Sequence, residues 1–399
     1  MRMLPQMNYI GLISLGILLI YSYPSYAEGW YIKPEVSLTG MFDDNYNLET
    51  GPANNTYGSL LSGAITVKRV TDTSEINGFV QTDFNYYASD KGKSVPNETN
   101  QYFTLSGKHK TELSQLDLSA QVIRDTTLTT QLLSTQNNID VGLVQVSRRR
   151  HLLSLTPSWH YKATERSEYS LDYKYTKVTF DKKENTGLYD YYENDFSGSY
   201  QYDLTERDKI SATLDYGFYK ASSIDNKFDS YGLSLDLKHS FTETMYGIFS
   251  IGQRKTYFTT AAEKNSNTGY LLNVGIVKNT ELTVYNFSIR RNIYPSGAGD
   301  MVESDQLNLN INKRFSPKLL FYFRTQLFKN KSLLNQSFED RRYFMVQPSL
   351  HWYVSRWWYI EGAYTYRQQK IQGDIDTARS NAAYIGVGYS HSNFALTNQ

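Results

Sequence analysis

The chain has no cysteine, which removes disulfides, thiolate nucleophiles and sulfur-ligated zinc together. Neither sign of charge dominates: 41 Lys and Arg stand against 40 Asp and Glu, a formal net charge of +1. No bulk field therefore exists to hold nucleic acid, and none is expected as a partner. The six histidines, His109, His151, His160, His239, His351 and His391, are scattered without metal-ligand spacing. Beyond residue 27 no apolar run is long enough to cross a bilayer as a helix. The mean hydropathy of -0.53 resembles that of a soluble protein. It leaves a membrane barrel open, because only alternate barrel residues meet lipid.

What is abundant is tyrosine, 35 residues against 25 Gly and only 9 Pro. Its amphipathic ring collects at membrane-water interfaces, and such an excess is hard to place inside an ordinary core. The first 27 residues read as an export signal, with Arg2 in a short basic region, an apolar run from Tyr9 to Tyr21, and Ser25-Tyr26-Ala27 as a small-x-small cleavage site. That run is shorter than the about 20 residues of a spanning helix. Export is expected, with residues 28–399 as one mature domain.

Residues 153–180 carry the fold signal. Leu153, Leu155, Pro157, Trp159 and Tyr161 alternate with Ser154, Thr156, Ser158 and His160. After a short polar connection over Lys162 to Arg166, Tyr169, Leu171, Tyr173 and Tyr175 alternate with Ser170, Asp172, Lys174 and Thr176. Period two fits extended chain with one apolar and one polar side, and excludes a helix. Such segments recur from Trp30 to Phe394, about 18 of them (16–18). Short turns, such as Thr71 to Thr73 and Thr205 to Asp208, alternate strictly with long polar loops, such as Asp43 to Thr56, Asp125 to Ser147, Thr259 to Asn267 and Asn330 to Arg341. That order is the one periplasmic turns and extracellular loops give an outer-membrane barrel, and a soluble sandwich would not show it. Thr164-Glu165-Arg166 recurs as Thr205-Glu206-Arg207, with Glu243 and Glu281 in similar turns further on. The repeat of about 40 residues is one hairpin; a propeller blade has a similar period but four shorter strands. The expected fold is all-β: a transmembrane antiparallel up-and-down barrel in the cell outer membrane. A departure is the tail Ala395 to Gln399 after Phe394, where a terminal aromatic would be expected.

Several segments resemble a family of outer-membrane β-barrel porins, type 2, associated with exopolysaccharide and exosortase systems. They are Pro34 with Phe42-Asp43-Asp44-Asn45, Arg124-Asp125-Thr126-Thr127-Leu128, Gly142 followed by Arg148-Arg149-Arg150, Pro157-Ser158-Trp159, Thr164-Glu165-Arg166 and Tyr173-Lys174-Tyr175. The likeness is sharpest over residues 124–180. It implies the fold and the outer membrane, and polysaccharide export by association; it brings no catalytic residues.

Alternation assigns a lumenal face that carries both signs of charge. The candidate pore-lining residues are Arg124, Arg148, Arg150, Lys174, Arg254, Arg290, Arg324, Arg367, Asp172, Asp215, Asp236 and Glu361. Several arginines fall toward the long-loop end, which suggests a cationic constriction favouring anionic glycans. The alternative is that they pair with lumenal carboxylates or touch anionic lipid headgroups. Tyr31, Tyr87, Tyr219, Tyr322 and Tyr359 are candidate sugar-stacking rings. Trp30, Trp159, Trp352, Trp357 and Trp358 lie near the short turns, where an aromatic girdle belongs. Asp43-Asp44-Asn45 offers oxygens but not EF-hand spacing, so neither metal nor cofactor is expected. Ser147 with His151 gives a weak hydrolase pattern lacking an orienting third group, and no enzyme is expected.

The sequence therefore predicts a passive conduit serving exopolysaccharide export. Its expected partners are outer-membrane lipid and lipopolysaccharide, the polysaccharide itself, a periplasmic export partner and the barrel assembly machinery. A general diffusion porin is the alternative, and a plugged adhesin barrel a third.

Overall fold

The computed structural model describes residues 29–396 except 52–53, 91–96, 128–147, 182–185, 223, 225, 261–263, 334–339 and 392–393. The expected export signal lies outside the described residues. The first nine strands are β1 (Trp30–Asp43), β2 (Thr56–Val70), β3 (Ser74–Ser89), β4 (Glu98–Lys110), β5 (Ser114–Thr126), β6 (Arg149–Lys162), β7 (Ser167–Phe180), β8 (Tyr191–Asp203) and β9 (Asp208–Ala221). Then follow β10 (Lys227–Thr242), β11 (Met245–Thr259), β12 (Lys264–Asn279), β13 (Thr283–Pro295), β14 (Met301–Ser316) and β15 (Leu319–Ser332). The last are β16 (Arg341–Tyr353), β17 (Trp358–Ile371), β18 (Ala378–Ser390) and a short β19 (Phe394–Leu396).

Consecutive strands from β1 to β18 pair antiparallel, β1 also pairs with β18, and among the described residues β19 pairs with β1 alone. The wall is thus a closed up-and-down barrel of 18 staves. The last stave is broken once. Along β1, Glu35 faces Ser390 but Ile32 faces Phe394, so β19 continues the ladder one residue out of step.

The pleat sorts the side chains. On β10, Leu233, Leu235 and Leu237 are exposed on the outside, while Ser234 and Asp236 point inward beside Thr213 and Ser211 of β9. Leu214 is 66% exposed and Ile385 69%, a loss that water would not reward, since each buried CH₂ is worth about 0.8 kcal/mol. Buried apolar residues instead gather inside the barrel at the long-loop end.

The repeated short turns have one chemical cause. Thr71, Thr111, Thr164, Thr205 and Thr280 each accept, through Oγ1, the backbone N–H three residues on, at 2.9 to 3.1 Å. Ser316 and Ser355 do the same for Leu319 and Trp358. A hydroxyl that mimics a backbone acceptor is what makes these residues turn formers. Glu165 and Glu206, which mark the repeat in the sequence, are exposed.

Loop lengths depart from the expected strict alternation. β11 runs to Thr259 and β12 starts at Lys264, where a long loop from Thr259 to Asn267 was expected. β14 begins at Met301 rather than Asp305. Polar residues at the strand tops continue the ladder instead of leaving it, because pairing satisfies their backbone groups just as well.

Side chains stitch the closing seam. Ser390 donates to Glu35 at 2.8 Å, Thr39 to Glu361 at 3.2 Å and Ser380 to Asp43 at 2.7 Å. Arg367 of β17 reaches across β18 to Asp43, and both side chains are almost completely buried. Removing one partner of such a pair leaves a buried charge uncompensated, at a cost of about 3–5 kcal/mol. Asp43→Ala should therefore lower the denaturation midpoint of the refolded barrel in urea, whereas Glu49→Ala, in the adjoining loop, should leave it within error.

Candidate functional site

The lumen is lined by the polar half of every strand, and most of its charges meet a partner. Lys33 is 2.7 Å from Glu35, Lys68 2.7 Å from Glu75, and Lys209 2.8 Å from Asp203. Arg150 makes a two-pronged bond to Asp125 at 2.8 and 2.6 Å with both groups buried. Lys174 sits 3.3 Å from Glu193 and 3.4 Å from Asp195, and Arg254 2.9 Å from Asp215. Pairing of this kind cancels the field that a ring of bare cations would project down the pore.

Register places Arg150, Lys174, Arg254, Arg290, Arg324, Arg367, Asp172, Asp215, Asp236 and Glu361 on the inner face. Arg290 is exposed there and has no ion pair among the described residues. Arg124 is not lumenal. It pairs with Gln101 on the outer face, one residue out of phase with Asp125, which faces in. The reason is parity: Asp117 faces the lumen on the same strand, and an odd separation reverses the face. Arg148 precedes β6, its backbone N–H donating to Thr127 Oγ1 at 3.0 Å. Trp30, Trp159, Trp352 and Trp358 point outward at the short-turn end, and Trp357 lies in the last short turn, stacked on His391 at 3.8 Å.

The mouth holds what sequence reasoning missed. Residues 295–300, Pro-Ser-Gly-Ala-Gly-Asp between β13 and β14, are all buried. They turn inward and reach β9 and the loops before β8 and β10. Tyr189 N–H donates to Gly297 O at 2.8 Å, Tyr219 Oη to Ser296 O at 3.0 Å and Asn226 Nδ2 to Gly299 O at 2.9 Å. Arg254 ties the stem, with Nη1 on Ile293 O at 2.8 Å and Nη2 on Asp215. Around the tip Leu152, Val178, Phe180, Tyr191, Tyr219, Phe228 and Phe258 form an apolar cluster inside the barrel. Tyr219, a candidate stacking ring, is thereby 2% exposed and structural. Small, uncharged residues in a connection whose neighbours are charged are the sequence trace of this packing: only they let backbone approach backbone. Gly299 has φ +76°, and a Cβ there would lie 2.5 Å from Ile224 Cδ1.

The β1–β2 connection also folds inward. Leu48, at φ 55°, packs on Phe328, Tyr343, Met345 and Ala378. Asn45 Nδ2 donates to the Glu49 and Arg379 carbonyls at 2.8 and 2.9 Å, and Asp44 receives Asn381 at 2.7 and 2.8 Å. Asp43-Asp44-Asn45 is thus a clamp on the seam. Tyr46 and Tyr87 share a hydrogen bond of 2.8 Å. Burial, then the neighbouring Tyr87, lifts the Tyr46 phenol well above its usual range, so it stays a neutral hydroxyl. Beneath this loop a recess of about 310 Å³ is lined by Tyr46, Tyr87, Tyr322, Tyr384, His351 and Glu361. Tyr359 is close by, stacked on His351 at 4.1 Å, while Tyr31 stands on the inner face at the short-turn end.

Among the described residues no group of three or more His, Asp or Glu could hold a metal ion. Ser147 lies outside the described residues, and His151 is on the outer face, 3.5 Å from Asp181.

No family model and no curated protein matches the chain, so the resemblance to the exopolysaccharide-associated porins finds no support there. Solved structures do match. OpdQ of Pseudomonas aeruginosa shares 10% identity, with 92% of this chain and 99% of that one covered and a TM-score of 0.46. OccK7 (OpdD) of the same organism gives 10%, 92%, 100% and 0.49, and OccAB2 of Acinetobacter baumannii 11%, 92%, 98% and 0.47. Likeness at this level names no solute.

Gly299→Val should expel the tip while leaving the wall intact. In a chain free of other cysteines, Ser296→Cys is expected to resist a water-soluble maleimide. Added to Gly299→Val it should label readily, with unchanged far-ultraviolet circular dichroism.

Proposed function

We propose that the protein is an outer-membrane channel for the diffusion of small solutes, with its short turns in the periplasm and its longer loops outside. The outer apolar wall suits hydrocarbon, where every backbone group must be paired within the protein, and closure meets that demand. The outward tryptophans near the short turns would then mark the periplasmic interface, and the first 27 residues the export signal. The channel carries no reaction.

One observation carries the choice of solute size: the buried tip at residues 295–300 turns into the mouth and is braced on β9 and the loops before β8 and β10. A polymer chain would need that tip to leave, whereas a small solute needs only the space beside it. The expected export of polysaccharide, with its periplasmic partner, has correspondingly less support. Paired lumenal charges favour weak discrimination between ions, in place of an anion-selective constriction.

Planar-bilayer recording tests this. The expected result is a small conductance whose cation-to-anion permeability ratio lies within about threefold of unity, since paired charges leave little long-range field. Arg290→Ser should move it by less than about twofold. Strong anion selectivity abolished by that substitution, or no conductance at all, would contradict the reading.

A further inference from the structure

A row of cations stands on the outside of the wall. Arg291, Lys329, Arg342 and Lys370 point outward at one level near the long-loop end, with Asp305 between the first two. Arg291 is engaged by Asp305 at 2.5 and 2.6 Å. Lys329, Arg342 and Lys370 are exposed and make no ion pair among the described residues. They are also direct cross-strand neighbours, Lys329 facing Arg342 and Arg342 facing Lys370. Like charges set directly opposite destabilise a sheet, so two such pairs in succession call for an anion from outside the chain.

The surroundings say what the anion is attached to. Immediately toward the short-turn end the outer face becomes apolar, with Ile289, Leu307, Leu327 and Phe344 one pleat below the cations. Cations and apolar residues together line one hollow of about 780 Å³. At about 4.8 Å between strands, the three cations span roughly 10 Å, room for two phosphate groups side by side. A free inorganic anion has no use for the apolar floor, whereas acyl chains do.

We propose that β13–β17 form a binding site for a phosphorylated, multiply acylated glycolipid of the outer leaflet. The phosphates meet Lys329, Arg342 and Lys370, and the chains lie on Leu307, Leu327 and Phe344. The site rests on the membrane reading above.

Insertion and binding are measured separately. Bilayer insertion of the refolded protein is scored first, and failure to insert overturns the membrane reading together with this site. Bound lipid is then counted by native mass spectrometry from micelles containing diphosphoryl lipid A, the same lipid stripped of phosphate, or inorganic phosphate. The diphosphoryl form alone should stay bound. K329Q/R342Q/K370Q should weaken it at least about tenfold, the loss of three charge-assisted contacts, while Lys238→Gln in the lumen should not. Because the substituted residues are exposed, the variant should keep its fold, checked by its heat-modifiable migration. Equal binding of the two lipids would mean an ordinary annular contact, and inorganic phosphate held as tightly would mean a plain anion site. Either result, or an unaffected triple variant, overturns the proposal.

Discussion

The structure depends on closing its wall so that the strands pair on both sides, along most of their length or, between β12 and β13, along part of it. A sheet of 18 staves has two edges unless the first strand meets the last, and an open edge in hydrocarbon would expose a row of donors and acceptors at several kcal/mol each. β1 therefore carries a ladder on each side, the one to β18 and β19 broken only at Lys33–Pro34, and the seam is where buried polar chemistry concentrates: Asp43 with Arg367 and Ser380, Thr39 with Glu361, Glu35 with Ser390. The one-residue slip into β19 lets the last stave run on along β1 without breaking the closure. The β1–β2 loop is anchored on the same seam through Asp44 and Asn45, which joins closure of the wall to narrowing of the mouth.

Charge is distributed by the same logic. In the lumen, cations and carboxylates sit two residues, one strand or two strands apart and neutralise each other, as Lys33 does with Glu35, Lys174 with Glu193 and Arg254 with Asp215. Arg254 serves the mouth as well, since its second amino group holds the Ile293 carbonyl at the root of the inward tip. On the outer rim the cations of neighbouring strands stand side by side without carboxylates between β15 and β17.

The wall could be read in the sequence because period two is a local property. Leu171, Tyr173 and Tyr175 declare their face without reference to anything distant. The strand number follows from counting such segments. Parity also gave the lumenal face, and failed only where it was not applied: Arg124 and Asp117 lie seven residues apart on one strand and cannot share a face. The turn repeat was visible too, although the eye settles on Glu165 while Thr164 makes the bond. The mouth was not legible. Whether residues 295–300 point to solvent or fold under the rim is settled by partners on β8 and β9 and in the loops before β8 and β10, far away in sequence. Pairing of lumenal charges was legible only as an alternative, because register, not composition, brings Arg150 to Asp125.

The claim on which the rest stands is that alternate residues of one strand meet hydrocarbon and water. The lack of native cysteine allows a direct measurement: single cysteines placed in turn from Thr213 to Tyr216 on β9, in protein reconstituted into lipid vesicles, and their rates of reaction with a membrane-impermeant maleimide. The account predicts fast labelling at Thr213 and Asp215, which face the lumen, and strong protection at Leu214 and Tyr216, which face lipid. Equal rates at all four positions, or protection in the opposite phase, would contradict it.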